Sequence, residues 1–290
     1  MKIAVLADIH GNMVALQAVI DYANGLEIDH FIIAGDLISD CPHPKEVLDK
    51  VSELKGWIIQ GNREGYVLDA IDNSDKGWED FRQVDSLVWT RNQLEAHHIE
   101  YIRGLPTQAS IQIENRDAIR VVHGSTEDVF EHTALVKEER LNEIVKGIDE
   151  KVLICGHSHR QWSKETQGKL VINPGSVGIA FNEQVVAEFS VLSWIDSRWK
   201  MENHKIPYDM NQLEEDFKSS GLLDHGGIYS QITVQSLREG VNRNLEFVRK
   251  ALALSAELGY SKEPFIPNAV WARAEEKWRS EDGVQTVHCK

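Results

Sequence analysis

Seven side chains that can bind a divalent cation follow apolar segments in the first 160 residues. They are Asp8, His10, Asp36, Asn62, His123, His157 and His159. A pair of divalent cations about 3.5 to 4 Å apart needs a carboxylate that can bridge them, with imidazole and oxygen ligands on either side. The set has the composition of such a site, and because it contains no cysteine, a closed structural zinc site is not indicated.

Each of these residues also has an ordinary structural interpretation when it is taken alone. Asp8, Asp36 and Asn62 could cap helices that follow strands, and His123 could be a partly buried histidine without a ligand. His157 and His159 are harder to explain in this way, because alternate residues just after a strand and a glycine can turn toward one point. Taken together, the seven residues favour a metal site.

The apolar segments before these residues have the length and composition of buried strands. The first one, Ile3–Ala7, reads I-A-V-L-A and leads directly to Asp8 and His10. The pattern continues with a helix from Asn12 to Gly25, a strand at 30–34, a helix at 46–54 and a strand at 57–60. This order implies right-handed crossovers and a parallel sheet. We therefore expect the carboxyl ends of the three strands, with their metal-binding residues, at one edge of the sheet.

The second half of the sequence contains several short strands. After a helical, polar stretch from Gly65 to Gly104, we expect a hairpin, then a helix, and then four further strands. The hairpin strands are 109–114 and 118–122, the helix is 134–146, and the later strands are 151–155, 169–172, 184–190 and 198–206. These strands predict a second sheet that packs on the first one. From Asp209 to the end, the sequence is mostly helical.

Composition and charge restrict the class of protein. The formal net charge of the 290 residues is −15, which disfavours a general binder of nucleic-acid backbones. An anionic substrate would then have to be attracted by local cations, which could be side chains or metal ions. Three cysteines without a C-x-x-C pair (Cys41, Cys155 and Cys289) fit a reducing compartment, with Cys155 expected in the core. No window reaches the roughly 18 apolar residues of a membrane span, and we expect a cytoplasmic protein.

The order of the motifs resembles that of a known family. The motifs D-x-H, G-D, G-N, H-G and G-H-x-H follow one another at the predicted strand ends between Asp8 and His159. In this respect the chain resembles the calcineurin-like metallophosphoesterase superfamily. The D-I-H-G-N start and the N-P-G-S-V-G segment at 173–178 resemble its bacterial and archaeal phosphodiesterase-like branch.

The resemblance implies an α/β (α+β) fold, a four-layer α/β/β/α sandwich of two mixed sheets flanked by helices. We expect residues 1–208 to form this metallophosphoesterase domain and residues 209–290 to form a helical C-terminal extension packed on it. We also expect the extension to shape substrate access.

The resemblance further implies a role for each site residue. Asp8, His10 and His159 would bind one metal ion, Asn62, His123 and His157 would bind the other, and Asp36 would bridge the two. The ions would be Mn²⁺, Fe²⁺ or Fe³⁺, Zn²⁺ or Ni²⁺, and a hydroxide shared between them would attack phosphorus. We ourselves expect Asp36, His10 and Arg63 to act in catalysis, and Asn12, Asn62 and Arg63 to contact the substrate. Asn12 could equally cap the first helix.

Arg63 departs from the commonest pattern of the family. Many relatives have a G-N-H-[DE] motif whose histidine can protonate the leaving group, whereas this chain has G-N-R-E. An arginine stays charged and cannot act as a general acid. We therefore expect Arg63 to bind the substrate phosphate, with a preference for leaving groups of low pKa. The alternative is a surface arginine paired with Glu64 or Asp69.

Four other histidines and one glutamate have less defined roles in the sequence. We expect His43, His97 and His98 at the surface, and His132 and Glu127 near the mouth of the site.

The function that we expect is hydrolysis of a phosphodiester or a nucleotide-type ester. The alternatives are a phosphomonoesterase, a dinucleoside polyphosphate hydrolase, and a catalytically weak binding scaffold of the same fold. The expected partner is a small phosphorylated substrate, without membrane or nucleic acid, and a homo-oligomer is possible.

Overall fold

Ten strands form two five-stranded sheets in the computed structural model, which describes residues 1–260 and 265–281. The strands are β1 (Lys2–Leu6), β2 (His30–Ile33), β3 (Gly56–Ile58), β4 (Gln108–Ile111), β5 (Ile119–Val122), β6 (Val152–Ile154), β7 (Gln161–Thr166), β8 (Lys169–Pro174), β9 (Val186–Ile195) and β10 (Arg198–Pro207). The described residues also contain eleven α-helices. They are α1 (Met13–Asn24), α2 (Pro44–Glu53), α3 (Asn62–Asp72), α4 (Asp85–Gln93), α5 (Ala96–Gly104), α6 (Glu138–Lys146), α7 (Met210–Ser219), α8 (Leu222–His225), α9 (Gly227–Glu239), α10 (Arg243–Glu257) and α11 (Asn268–Glu281).

The first sheet has the strand order β10-β9-β1-β2-β3. Strands β1, β2 and β3 are parallel, as the strand and helix order predicts, whereas β9 is antiparallel to both β1 and β10. The second sheet has the order β4-β5-β6-β8-β7, with β5, β6 and β8 parallel and with antiparallel strands at both edges. Both sheets are therefore mixed, as expected.

The expectation that every later strand belongs to the second sheet was wrong. Strands β9 and β10, predicted at 184–190 and 198–206, extend the first sheet beside β1. In this hairpin of two ten-residue strands, β9 pairs with the edge of the buried strand β1 and β10 pairs with β9. Without it, that edge of β1 would leave backbone N–H and C=O groups without partners. The edge strand β7 was not predicted.

Side-chain alternation along β1 shows why the two sheets pack face to face. Ile3 and Val5 point into a cluster with Val121 and Ile154 of the second sheet, whereas Leu6 points into a cluster with Leu16 of α1. Successive residues of a strand face opposite sides. A strand that is buried on both faces must lie in an inner layer, which confirms the four-layer sandwich.

Helices cover both outer faces of the sandwich. Leu16 of α1 and Val47 of α2 pack on the first sheet, together with Ile102 of α5. Leu141 of α6 packs on the second sheet with Cys155, which is buried as predicted. Cys289 lies outside the described residues.

The C-terminal helices form two apolar clusters against the sandwich and against each other. Leu213 and Phe217 of α7 pack with Trp89 of α4. Phe247 of α10 packs with Trp271 and Trp278 of α11. Through Tyr229 of α9, this extension reaches Arg63, which follows the candidate metal ligand Asn62. Within the described residues, no helix has the length and hydropathy to cross a membrane.

Candidate metal centre

The seven predicted metal-binding residues converge at one edge of the sandwich. Each of them follows a parallel strand of one of the two sheets, namely β1, β2, β3, β5 or β6. The carboxyl ends of parallel strands meet at the same edge of a sheet, and the face-to-face packing brings the two edges together. Four of these side chains are almost completely buried, Asp8, His10, Asp36 and His123.

The ligand atoms form two groups of three. Asp8, His10 and His159 make one group, and Asp36, His123 and His157 make the other, with the ligand atoms of each group within 4.8 Å of one another. These are two of the three such groups found in the described residues.

Asp36 lies between the two groups. Its Oδ2 atom is 3.3 Å from His123 Nε2 and 3.8 Å from His10 Nε2. The amide oxygen of Asn62 is 3.0 Å from His123 Nε2, on the side of the second group. These distances give Asp36 the position that a bridging carboxylate requires.

Hydrogen bonds to backbone carbonyls orient two of the imidazoles. His123 Nδ1 lies 2.7 Å from the carbonyl oxygen of Ala34, and His159 Nδ1 lies 2.7 Å from that of Ile179. An Nδ1 that donates to a carbonyl leaves the lone pair on Nε2 free to bind a metal ion, and such outer partners are usual for metal-binding histidines. His10 Nδ1 faces the carboxylate of Asp40 at 3.4 Å.

One buried atom fits a bound cation better than it fits the bare protein. Asp8 Oδ2 is buried and has no hydrogen-bond partner. A buried carboxylate oxygen without a partner destabilises the fold unless a cation compensates its charge. His10 Nε2 and His159 Nε2 are 3.0 Å apart and can share a hydrogen bond, which a cation bound by both would replace. The residues present therefore fit divalent cations with nitrogen and oxygen ligands.

The pKa values describe the same site without cations. Burial raises the pKa of Asp8 to about 8, and it lowers the pKa of His157 to about 3 and that of His159 to about 4. Burial alone would also lower the pKa of His123, but the adjacent carboxylate of Asp36 outweighs it and raises this pKa to about 9. Protons thus replace cations beside the carboxylates at neutral pH, and cation binding would release them.

The backbone is strained where the ligands leave the strands. Asp8, His10, Asp36, His157 and His159 have φ angles between 51° and 64°, in the left-handed region. Residues other than glycine seldom adopt this region, and those that do are concentrated at functional sites. The conformation turns each side chain toward the same point.

Gly61 and Glu64 hold the loop that carries Asp36. A Cβ atom on Gly61 would collide with the carboxylate of Asp36, so that only glycine fits there. The buried carboxylate of Glu64 accepts N–H bonds from Gly61 and from the loop residues Asp36, Leu37 and Ile38. Sequence analysis did not identify this role, because a glutamate after G-N-R gives no signal of its distant backbone partners.

Arg63 is held at the site by an ion pair and a hydrogen bond. Its Nη2 lies 2.8 Å from Asp40 Oδ2 and donates to the hydroxyl of Tyr229 at 3.3 Å. Glu64 and Asp69 bond elsewhere, Glu64 to backbone amides and Asp69 to Lys76. The alternative of a surface arginine paired with Glu64 or Asp69 was therefore wrong. Asp40 and Tyr229 were missed, because D-C-P and G-I-Y match no motif of the site.

Asn12 is an N-cap of α1. Its Oδ1 accepts from the amide of Ala15 at 3.0 Å, and its Nδ2 donates to the carbonyl oxygen of Gly178 at 2.9 Å. The side chain is fully buried. Both polar groups are thus engaged with the backbone, which favours the capping role over the expected contact with substrate.

A cavity of about 460 Å³ opens over the ligand groups. His132 lines it and stacks on His157, with ring centroids 4.5 Å apart, and Phe181 stacks on His159 at 5.1 Å. His132 thus lies at the mouth of the site, as expected. Glu127 lines a neighbouring cavity that reaches Asn62 and His123, and it pairs with Arg140.

The third group of possible ligands has a structural role instead. It consists of Asp49, His97 and His98. His98 Nδ1 accepts the amide of Glu95 at 3.1 Å, so its Nε2 carries the proton and donates to Asp49 at 3.2 Å. No lone pair is left on His98 for a cation. His98 is buried, so the prediction of a surface position was wrong for this residue, whereas His97 is exposed and His43 is half-buried.

Comparison with known proteins identifies relatives of most of this chain. Residues 1–193 match the sequence model of a family described as the calcineurin-like phosphoesterase superfamily domain. An uncharacterized protein of Methanocaldococcus jannaschii is 22% identical over 232 residues, which are 73% of this chain and 90% of that protein.

Two solved structures resemble the fold. A hypothetical protein from Pyrococcus horikoshii OT3 superposes with a TM-score of 0.71 and 22% identity, covering 82% of this chain and 98% of that one. A metallophosphoesterase from Sphaerobacter thermophilus gives a TM-score of 0.64 and 22% identity, covering 83% of this chain and all of that one.

Proposed function

Because the chain belongs to the calcineurin-like phosphoesterase superfamily, we propose that it is a metal-dependent phosphoester hydrolase acting on phosphodiesters or nucleotide-type esters. The observation that carries this proposal is the position of Asp36 between two groups of buried ligand atoms. That the chain belongs to the bacterial and archaeal phosphodiesterase-like branch of this superfamily remains a prediction.

Two divalent cations are the proposed cofactor. Asp8, His10 and His159 would hold one, Asn62, His123 and His157 would hold the other, and Asp36 would contact both. Such ions supply an activated water as nucleophile and neutralise charge on the phosphoryl oxygens. Nitrogen and oxygen ligands suit manganese, iron, zinc and nickel alike.

Arg63 is the proposed phosphate-binding residue of the chain itself. It lines the cavity, and its side chain is 23% exposed, so that part of the guanidinium faces the space above the ligand groups. Asp40 and Tyr229 fix its position. An anchored guanidinium can contact a phosphoryl oxygen without a further loss of side-chain freedom, and it can stabilise charge that develops in the transition state.

The charge of Arg63 also sets the expected leaving groups. The carboxylate of Asp40 raises the pKa of Arg63 above its already high ordinary value despite burial. Arg63 therefore cannot protonate a leaving group at any working pH. Aryl, nucleotide and phosphoanhydride leaving groups need no such proton, which supports the expected preference for them over alkyl groups.

The scaffold alternative is less well supported. Each of the seven positions has a side chain that can bind a cation, and Asp8 Oδ2 is buried without a partner. These features favour a bound cation, and the assay below separates an enzyme from a scaffold that binds metal without turnover.

The test is hydrolysis of two chromogenic esters, bis(4-nitrophenyl) phosphate and 4-nitrophenyl phosphate, by protein reconstituted with Mn²⁺, Fe²⁺, Zn²⁺ or Ni²⁺. We expect metal-dependent turnover, with faster cleavage of the diester. Asp36→Asn should lower kcat/KM by about 10³-fold, because the bridging charge is lost. The exposed Asp224→Asn is the matched control and should leave the rate unchanged.

Turnover that is faster on the monoester would favour the phosphomonoesterase. Metal binding without turnover of either ester would favour the scaffold, and turnover unaffected by Asp36→Asn would contradict the proposed site.

A further inference from the structure

We propose that the C-terminal extension carries a second anion subsite, centred on Arg249, for a substrate with an apolar or aromatic group between its phosphoester and a second anionic group. This inference rests on the proposed hydrolase function and specifies its substrate class. It assigns a role to helix α10, which lies outside the matched family segment 1–193.

One face of α10 lines the cavity over the metal-binding residues. Leu245 lines it together with Val248 and Arg249, which follow three and four positions later, and the N-cap Asn242 and Asn244 line it at the start of the helix. Residues at this spacing lie on the same side of a helix. The cavity therefore extends along α10, and at 1.5 Å per residue the distance from Asn242 to Arg249 is roughly 10 Å.

The adjacent face of α10 is fixed by the core of the extension. Phe247 and Ala251 are fully buried and pack with Trp271 of α11. Phe247 meets the ring of Trp271 edge to face, with centroids 4.9 Å apart. Such packing holds the cavity-lining face in a defined orientation, as a selective subsite requires.

Arg249 offers a positive charge that the protein does not use. Arg63 and Arg249 are the two arginines that line the cavity, and Arg63 is paired with Asp40. Arg249 makes no ion pair or side-chain hydrogen bond within residues 1–260 and 265–281. The nearby Glu246 is paired with Arg243 instead, at 2.9 Å. In a protein of net charge −15, an exposed arginine without a carboxylate partner in this cavity favours an anionic ligand.

Apolar side chains line the same cavity as Arg249 and the candidate metal-binding residues. Leu135 and Leu245 line the cavity and remain 52% and 43% exposed. Phe181, which stacks on His159, and Val248 also line it. An apolar surface with a few placed polar groups is typical of a site for an organic ligand. A phosphate ion alone would leave this surface unused, whereas an aromatic or nucleoside group would cover it.

Calorimetric titration of the manganese-loaded protein with phosphonates tests the subsite without turnover. The parent ligands are phenylphosphonate and biphenyl-4-phosphonate, and each is compared with its derivative carrying a distal carboxylate or a distal phosphonate. The two parent ligands place the distal anion at two different distances from the phosphonate. Arg249→Gln is the test variant, and Arg273→Gln, an exposed arginine of α11 outside the cavity, is the matched control.

We expect a distal anion to tighten binding about tenfold at one of the two lengths, as a charge-assisted contact does. Arg249→Gln should reduce this advantage to less than about twofold, and Arg273→Gln should retain it. The better of the two distal anions identifies whether the natural group is a carboxylate or a phosphate.

An advantage that is absent in the unmodified protein, or that survives Arg249→Gln, would overturn the subsite. Failure of the proposed metal site looks different, because then neither parent phosphonate binds in a manganese-dependent manner, and failure of the proposed hydrolysis is seen as absent turnover of the nitrophenyl esters.

Discussion

Arg63 is the residue in which this site departs most from its family, and its environment explains how it can act. A histidine at this position could donate a proton, whereas arginine provides a permanent charge. The structure anchors that charge between Asp40 and Tyr229. Asp40 also faces His10, so one carboxylate connects the guanidinium to a metal-binding imidazole.

Exchange of Arg63 tests this assignment. Arg63→Ala should lower kcat/KM for bis(4-nitrophenyl) phosphate by about 10²-fold, because charge stabilisation in the transition state is lost. Arg63→His should improve alkyl esters relative to nitrophenyl esters by about tenfold, because a general acid becomes available.

The measurement is kcat/KM over a series of leaving groups, with Arg103→Ala, in an exposed ion pair with Asp72, as the control. An unchanged kcat/KM in Arg63→Ala would show that Arg63 does not bind the phosphate. An unchanged leaving-group preference in Arg63→His would contradict the explanation from proton donation.

The seven candidate metal ligands could be predicted from the sequence only as a set, because short motifs follow strands that the sequence itself indicates. The residues that hold them in place could not be predicted. Asp40 lies in the loop after β2, Glu64 on α3 and Tyr229 on α9, and nothing in their local sequence gives the packing that brings them to the site. The same holds for His98, whose burial depends on its hydrogen bonds to Glu95 and Asp49.

At the scale of elements, the C-terminal helix α9 completes the site. Tyr229 lies on α9 and bonds to Arg63, which lies at the start of α3, 166 residues earlier. Tyr229 is a positioning residue, because it acts through Arg63 and not on the substrate.

Tyr229→Phe should lower kcat/KM for bis(4-nitrophenyl) phosphate about fivefold, since it removes one hydrogen bond of about 1 kcal/mol that orients Arg63. In the Arg63→Ala background the same substitution should have no effect. The measurement is a double-mutant cycle on kcat/KM. Equal effects in both backgrounds would indicate a general structural role for the tyrosine.

The strands themselves were largely predictable, but their assignment to sheets was not. Alternating and continuous apolar segments located β1, β2, β5 and β6 to within one or two residues. The hairpin β9–β10 was assigned to the wrong sheet. The apolar pattern of a strand indicates which of its residues are buried, but it does not indicate the neighbouring strand with which it pairs. The free edge of β1 decides that pairing.

At the scale of the whole molecule, two sheets and a helical extension meet around one acidic and imidazole-rich cavity. The first sheet supplies Asp8, His10, Asp36 and Asn62, and the second supplies His123, His157 and His159. The extension supplies Tyr229 and Arg249. The composition predicted that an anionic substrate of this acidic protein would have to be attracted by local cations. In this cavity, arginine side chains and the proposed metal ions would provide that positive charge.

The most direct test of the account is anomalous X-ray scattering from crystals grown with Mn²⁺. We predict two strong manganese peaks per chain, one beside Asp8, His10 and His159 and the other beside Asn62, His123 and His157, with Asp36 in contact with both. A single peak, peaks at other residues such as Asp49 and His97, or no peak at all would contradict the two-metal site.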